Sequence, residues 1–286
     1  MNYHNLRKIS RIVLATDNSP SVSAAEKFAL DLSQFYHCHL TIVHVFEDTY
    51  DEIPKNIAYD EYIDQLINQK LAELENKFGN AVRPAGVSCE YDLVVRKGTV
   101  AETITQYAIQ AGADYLVLGT HGSSGFRNNA FGSVTLGVIN SSTIPVFAIP
   151  TEAAFNNLKN ITLACKGNDS EIPLVKWLVH SLDKSQAGIT LLHVASEDNS
   201  HDLETFVQRL NKMLGWTKLD VTHVDDPDIE KGLNDFVTGN NVNLLVLFGR
   251  PKSFFRKLYT ANLIKRMVYH TSLPLLYIPP EDSIRK

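Results

Sequence analysis

Residues 115–149 read YLVLGTHGSSGFRNNAFGSVTLGVINSSTIPVFAI, and the order of features in this stretch decides the fold. The first four, YLVL, make a short apolar run of the length and branching of a buried strand. A glycine-rich stretch follows, then a segment from Gly132 to Asn140 that reads as helix, and IPVFAI at 144–149 supplies a second apolar run. Strand, glycine loop, helix and strand make a βαβ unit, whose strands run parallel because the helix carries the chain back across the sheet. Runs that are apolar throughout, rather than alternating, indicate strands covered on both faces.

The same alternation extends outward. IVLA at 12–15 ends in TDNSP at 16–20, a cluster of turn and helix-capping residues. Ala24, Phe28, Leu32 and Phe35 then recur at helical spacing, and LTIVHV at 40–45 is a second strand. A longer helix is predicted over 59–78, with Ile63, Leu66, Ile67, Leu71 and Leu74 on one face; a third strand lies near 87–95, and a helix follows Gly98. Five strands alternating with helices predict an α/β unit with an open parallel sheet.

The second part of the chain repeats this order. ITLA at 161–164 matches IVLA, and ITLLHV at 189–194 matches LTIVHV; Ile161 and His193 each lie 149 positions after Ile12 and His44. LVL at 245–247 and Pro274 lie only 129 positions after LVL at 116–118 and Pro145, so about 20 residues are missing from the middle of the second copy. The second helix, read over 201–214, is the natural place for that loss. Matched motifs in matched order argue duplication. The expected fold is therefore α/β, two tandem open parallel five-stranded sheets with helices on both faces, Rossmann-like in character. The expected domains are residues 1–152 and 153–286, joined through the polar stretch at 151–158.

A length of 286 residues suits two such units, and 44% hydrophobic with 21% charged residues is ordinary globular composition. A net charge of −5 offers no basic surplus for a nucleic-acid partner. Cys38, Cys89 and Cys165 are dispersed and lack CxxC spacing, which disfavours a disulfide framework and a zinc site and suits buried free thiols. No apolar stretch approaches a membrane span, so no membrane span is expected and the cytoplasm is the expected location.

The chemistry concentrates in the glycine stretch. Gly119 and Gly122, then Gly132 and Ser133 nine residues later, follow one strand and open the next helix. Glycine lets backbone approach an anion closely, and a helix N-terminus presents unpaired N–H groups with partial positive charge. Ser133 can cap the helix, donate to a phosphate oxygen, or do both. The competing reading is that the glycines only close a tight turn. The pattern is neither a Walker A loop nor a GxGxxG fingerprint. In the second copy the four positions become Phe248, Pro251, Ala261 and Asn262, and Asp17 becomes Lys166. A turn in the same register is thus built without the glycines, which favours the anion-binding reading for the first copy. Lys252, Arg256, Lys257, Lys265 and Arg266 make the second loop region basic, as a solvated face or as a place for another anion.

With these residues in view, the chain resembles the universal stress protein family, in its tandem two-domain form. Nucleotide-binding members carry Gly, two residues, Gly, nine residues, Gly and Ser or Thr in this loop, and Gly119, Gly122, Gly132 and Ser133 match throughout. The resemblance implies the adenine nucleotide alpha hydrolase-like fold and an ATP or other adenine-nucleotide site with Mg²⁺ on the phosphates. In the family, the Asp ending the first strand faces the nucleotide and the backbone of the valine ending the second contacts adenine; Asp17 and Val45 hold these positions. The nucleotide-binding set expected on this basis adds Ala15, Val134 and Thr135 to those residues, with Asp17 also facing the metal. Arg127 is placed to pair with a phosphate tail, or is simply solvated, and His121 lies in the same loop. Asp17 has a plain alternative as a helix cap, and His44 and His193, set within apolar strands, read as satisfied core residues.

Three functions from different classes follow. The first is a stress-response module whose first domain binds ATP and signals its occupancy to an unidentified protein partner or to the paired domain. The second is a slow ATP hydrolase, or a phosphoryl or nucleotidyl transferase, at the same site. The third is a nucleotide-free interaction protein. The last strands of the two copies are expected to pair as an intramolecular pseudo-dimer, and a homodimer of chains is open.

Overall fold

A computed structural model describes residues 8–47, 57–82, 90–120, 132–155, 158–182, 187–195, 200–214, 219–249 and 273–280. The first half runs β1 (Arg11–Ala15), α1 (Ser23–Tyr36), β2 (His39–Phe46), α2 (Tyr59–Val82), β3 (Tyr91–Lys97), α3 (Val100–Gln110), β4 (Tyr115–Gly119), α4 (Ser133–Ser141) and β5 (Val146–Ile149). The second half runs β6 (Asn160–Ala164), α5 (Ile172–Ser181), β7 (Gly188–Ala195), α6 (Ser200–Leu214), β8 (Leu219–Asp225), α7 (Ile229–Gly239), β9 (Leu244–Phe248) and β10 (Leu275–Ile278). None of the described helices is long and apolar enough to cross a membrane.

Each half contributes five mutually parallel strands, and the halves join edge to edge in one sheet ordered β3-β2-β1-β4-β5-β10-β9-β6-β7-β8. The junction is the antiparallel pair of β5 and β10, with Leu276 opposite Phe147. The pairing of last strands expected from the sequence is present, and it removes two edges that would otherwise offer open ladders. Because the pair is antiparallel, the carboxyl ends of the strands in the two halves point to opposite rims of the sheet.

Strand residues sort onto the two faces by strict alternation. Ile12 and Leu14 enter a core with Phe28, Phe78, Trp177 and Leu210, beneath α1, α2, α5 and α6. Val13 and Ala15 enter the other, with Ile104, Val138 and Leu233, beneath α3, α4 and α7. The first core is continuous across the junction. Tyr115 of β4 packs its ring 5.7 Å from that of Trp177 on α5 and donates its hydroxyl to Ser181 Oγ at 3.2 Å. Full burial pushes the Tyr115 phenol up to about 12, so it stays a neutral donor. Leu158, at the end of the polar stretch 151–158, is also buried in this core. Cys38 and Cys165 are buried free thiols, as expected, and Cys89 lies outside the described residues.

The shortening of the second half falls where the offsets place it. Helix α2 has 24 residues and its counterpart α6 has 15. The consequence is local. Leu93 on β3 packs against the core, while Val221, at the matching register position on β8, is 40% exposed.

Candidate functional site

In the first half, β1 lies between β2 and β4, and the helices leave β1 and β4 toward opposite faces. Such a switch point opens a crevice at the carboxyl ends of the strands. A cleft of about 400 Å³ lies there, walled by the ends of β1, β2 and β4, the first turns of α3 and α4, and Lys70 of α2.

Helix α4 forms one wall. Gly132 is its N-cap, with φ −55° and ψ 129°, and donates its N–H to the Thr120 carbonyl at 3.0 Å. Ser133 and Val134 are the first two helical residues, so helix geometry gives their N–H groups no acceptor within the helix. Thr135 Oγ1 donates to the Gly119 carbonyl at 2.8 Å and fixes the helix start against the end of β4. Gly132 needs no positive φ, and a Cβ there would meet its nearest neighbour, the Thr120 carbonyl oxygen, at an ordinary 3.7 Å. Among the described residues, neither backbone conformation nor packing demands glycine here, and the missing side chain leaves the backbone open to close approach from the cleft.

The opposite wall is the turn after β1. Thr16 is buried; its hydroxyl donates to Glu26 Oε1 at 2.7 Å and accepts from the Asn18 N–H at 2.9 Å. Glu26, itself buried, also accepts from Lys77 Nζ at 2.8 Å, so a buried carboxylate ties β1 to α1 and α2. Asp17 Oδ1 accepts from the Ser19 N–H at 3.0 Å and from its hydroxyl at 2.6 Å. Asp17 thus organises a turn at the cleft rather than capping a helix directly; Ser19 holds the N-cap position of the short 3-10 turn Pro20–Val22. His44 Nδ1 donates to the Thr16 carbonyl at 2.9 Å. Burial pushes the His44 imidazole below its ordinary range, so the ring is neutral at pH 7. His193 repeats the device, donating from Nδ1 to the Cys165 carbonyl at 3.1 Å, and burial likewise lowers its titration.

Ala15, Asp17, Val45, Gly119, Gly132, Ser133, Val134 and Thr135, drawn from four separate segments of sequence, all line this cleft. Gly122, Arg127 and His121 lie outside the described residues. The cleft also includes residues that sequence reading did not single out, among them Thr16, Val22, Phe46, Lys70 and Ile104. Lys70 had a legible signal: like Lys77, it is a cation on the helix face that carries Ile67, Leu71 and Leu74. His44, read as a core residue, is both buried and part of the cleft wall.

The corresponding rim of the second half is built differently. Tyr277 stands where the first half has Ala148, and a Cβ on Gly249 would fall 2.2 Å from its hydroxyl oxygen. The turn after β6 is closed from within. The buried Glu171 carboxylate accepts from the N–H groups of Lys166 at 3.0 Å and Gly167 at 3.1 Å, so an internal anion uses the amides that this turn presents.

The Universal stress protein family model matches residues 8–150. A universal stress protein from Methanocaldococcus jannaschii is 26% identical over 149 residues, covering 52% of this chain and 85% of the relative. Another, from Thermus aquaticus, is 28% identical over 138 residues, covering 48% of this chain and 96% of the relative. Over nearly the whole length, the fold is that of a crystallised universal stress protein from Archaeoglobus fulgidus, with a TM-score of 0.74 at 16% identity, covering 96% of this chain and 99% of that one.

Proposed function

The chain belongs to the universal stress protein family, and on that premise we propose that its first domain, residues 1–152, binds ATP or another adenine nucleotide while the second, residues 153–286, does not. The observation that carries this reading is the start of α4. Gly132 caps a helix whose leading N–H groups border the cleft, and nothing among the described residues requires that residue to be glycine. A phosphate chain meets there the partial positive charge and unpaired donors of the helix end, with the Ser133 hydroxyl beside them. The flat, apolar part of the ligand lies against Val45, Ile104 and Leu118, where the cleft is hydrophobic.

Asp17 is the acidic residue among those lining the cleft, and the described residues contain no cluster of three or more His, Cys, Asp or Glu side chains suited to a metal. That fits a Mg²⁺ held chiefly by nucleotide phosphates and water, with Asp17 as one protein partner; the ion supplies charge neutralisation on the phosphates. The cellular role is a nucleotide-dependent binding and signalling module. Occupancy of the cleft biases the surface around α4 and the β1 turn, which a protein partner or the second domain reads through its differential affinity.

The reading is tested by denaturing the purified full-length chain and identifying released small molecules by mass, followed by ATP titration of the emptied protein. An adenine nucleotide released at about one per chain, or taken up on titration, is expected. The absence of both release and uptake would overturn the proposal.

A further inference from the structure

The two halves keep the same acceptors at the amino ends of their strands and cover them differently. On the α3 side of the first half, Arg11 pairs in register with His39, and Thr41 with Asp92. Arg11 Nη1 donates to Thr41 Oγ1 at 3.3 Å, and His39 Nε2 lies 2.8 Å from Asp92 Oδ2. The chain's own nitrogen-bearing side chains cover this corner. In the second half the four register positions are Asn160 with Gly188 and Thr190 with Asp220. The threonine and the aspartate are retained; the guanidinium and the imidazole are gone.

A cleft of about 510 Å³ lies at this place in the second half, with Phe236 as an apolar wall and Asn240 at the end of α7. Its lining differs from the first half in a consistent direction. Thr162 and Thr222 replace Val13 and Val94, so hydroxyls stand where the first half has methyl groups. Thr162 is only 2% exposed, Thr190 and Thr222 are half-buried and Asp220 is exposed, and none of their side chains makes a hydrogen bond with a described residue. The amide nitrogens of Asn160 and Asn240 are turned to backbone carbonyls, at 3.2 and 2.7 Å, which leaves their oxygens as the remaining acceptors. Among the described residues, those lining this cleft include no Lys, Arg or His. The carbonyl end of α7 adds the negative pole of a helix dipole.

We propose that this cleft binds a small organic cation, its guanidinium or primary ammonium group seated on Asp220 and Thr190 in the position that Arg11 and His39 cover in the first half. A guanidinium presents several N–H donors in a plane, which matches a carboxylate flanked by hydroxyl and amide oxygens. Phe236 packs against the aliphatic part of such a ligand. The site lies on the strands' amino ends and does not depend on the nucleotide reading.

The test is calorimetric titration of the full-length chain with agmatine and putrescine, with glucose as the neutral hydroxyl-rich comparison. One agmatine or putrescine per chain is expected, weakened about tenfold by Asp220→Asn, the loss of one charge-assisted contact. Asp92→Asn in the first half leaves binding unchanged. The double variant Asn160→Arg, Gly188→His rebuilds the first-half arrangement and abolishes binding. Position 188 tolerates a side chain: among the described residues a Cβ there would meet only the Lys159 carbonyl oxygen, at 3.8 Å. Circular dichroism on each variant verifies the fold. No cation binding, cation binding unaffected by Asp220→Asn, or glucose binding in preference to both cations would overturn the proposal.

Discussion

At the scale of single residues, Gly132 separates structure from binding more cleanly than any other described position. Its φ of −55° and the ordinary spacing around a built Cβ mean that Gly132→Ala adds a methyl group that the fold accepts. The expected cost in stability is about 1 kcal/mol or less, the difference between glycine and alanine at an N-cap. ATP affinity falls much further, which parallel thermal unfolding and titration will read. The two repeated histidines make a different prediction. Both titrate below their ordinary value because they are buried. The unfolded chain, with imidazoles near pH 6.5, therefore takes up protons first, so their contribution to stability is complete above about pH 6.5 and is lost as pH falls toward the native values. The melting temperature should drop between pH 7.5 and 5.5, and less so in the His44→Gln, His193→Gln double variant. The sequence disclosed the cleft residues whose identity is unusual for their place, such as the glycines and the aspartate after a strand. It did not disclose Val22 or Ile104, because an apolar residue in a helix reads the same whether it faces a core or a ligand.

At the scale of elements, the inner strands were legible because parallel strands buried on both faces are continuous apolar runs; the edge strand β8 (LDVTHVD), half-exposed and alternating, was implied only by the repeat. The connections were less legible. The link from the β1 turn to α1 and α2 rests on Thr16, Glu26 and Lys77, which are distant in sequence and unremarkable in type. Glu26 is nearly buried while Lys77 is about one-third exposed, so solvent weakens the pair's Coulomb attraction. Removing the carboxylate still leaves the buried Thr16 hydroxyl without its acceptor. Glu26→Ala should cost about 2 kcal/mol in chemical denaturation. It should also loosen nucleotide binding, because the turn bearing Asp17 starts from Thr16. The exposure of Val221 beside the shortened α6 has the same kind of origin: a deletion visible as a change of offset becomes an uncovered position on β8.

At the scale of the whole molecule, duplication supplies the internal comparison on which the account rests. Two sets of five parallel strands were readable separately; their union through β5 and β10 follows from which edges remain open. The antiparallel junction sends the two sets of carboxyl ends to opposite rims, so the two halves cannot share one ligand across adjacent strand ends. One rim holds a cleft bounded by the capped start of α4; among the described residues of the other, the Tyr277 hydroxyl crowds Gly249 and the Glu171 carboxylate takes the turn amides. The central claim is that only the first half takes a nucleotide. Isothermal titration of the full-length chain with ATP in the presence of Mg²⁺ tests it most directly, alongside Gly132→Val. The account predicts one ATP per chain for the parent protein and none for a variant that circular dichroism shows to be folded; two ATP per chain, or one that survives Gly132→Val, would contradict it.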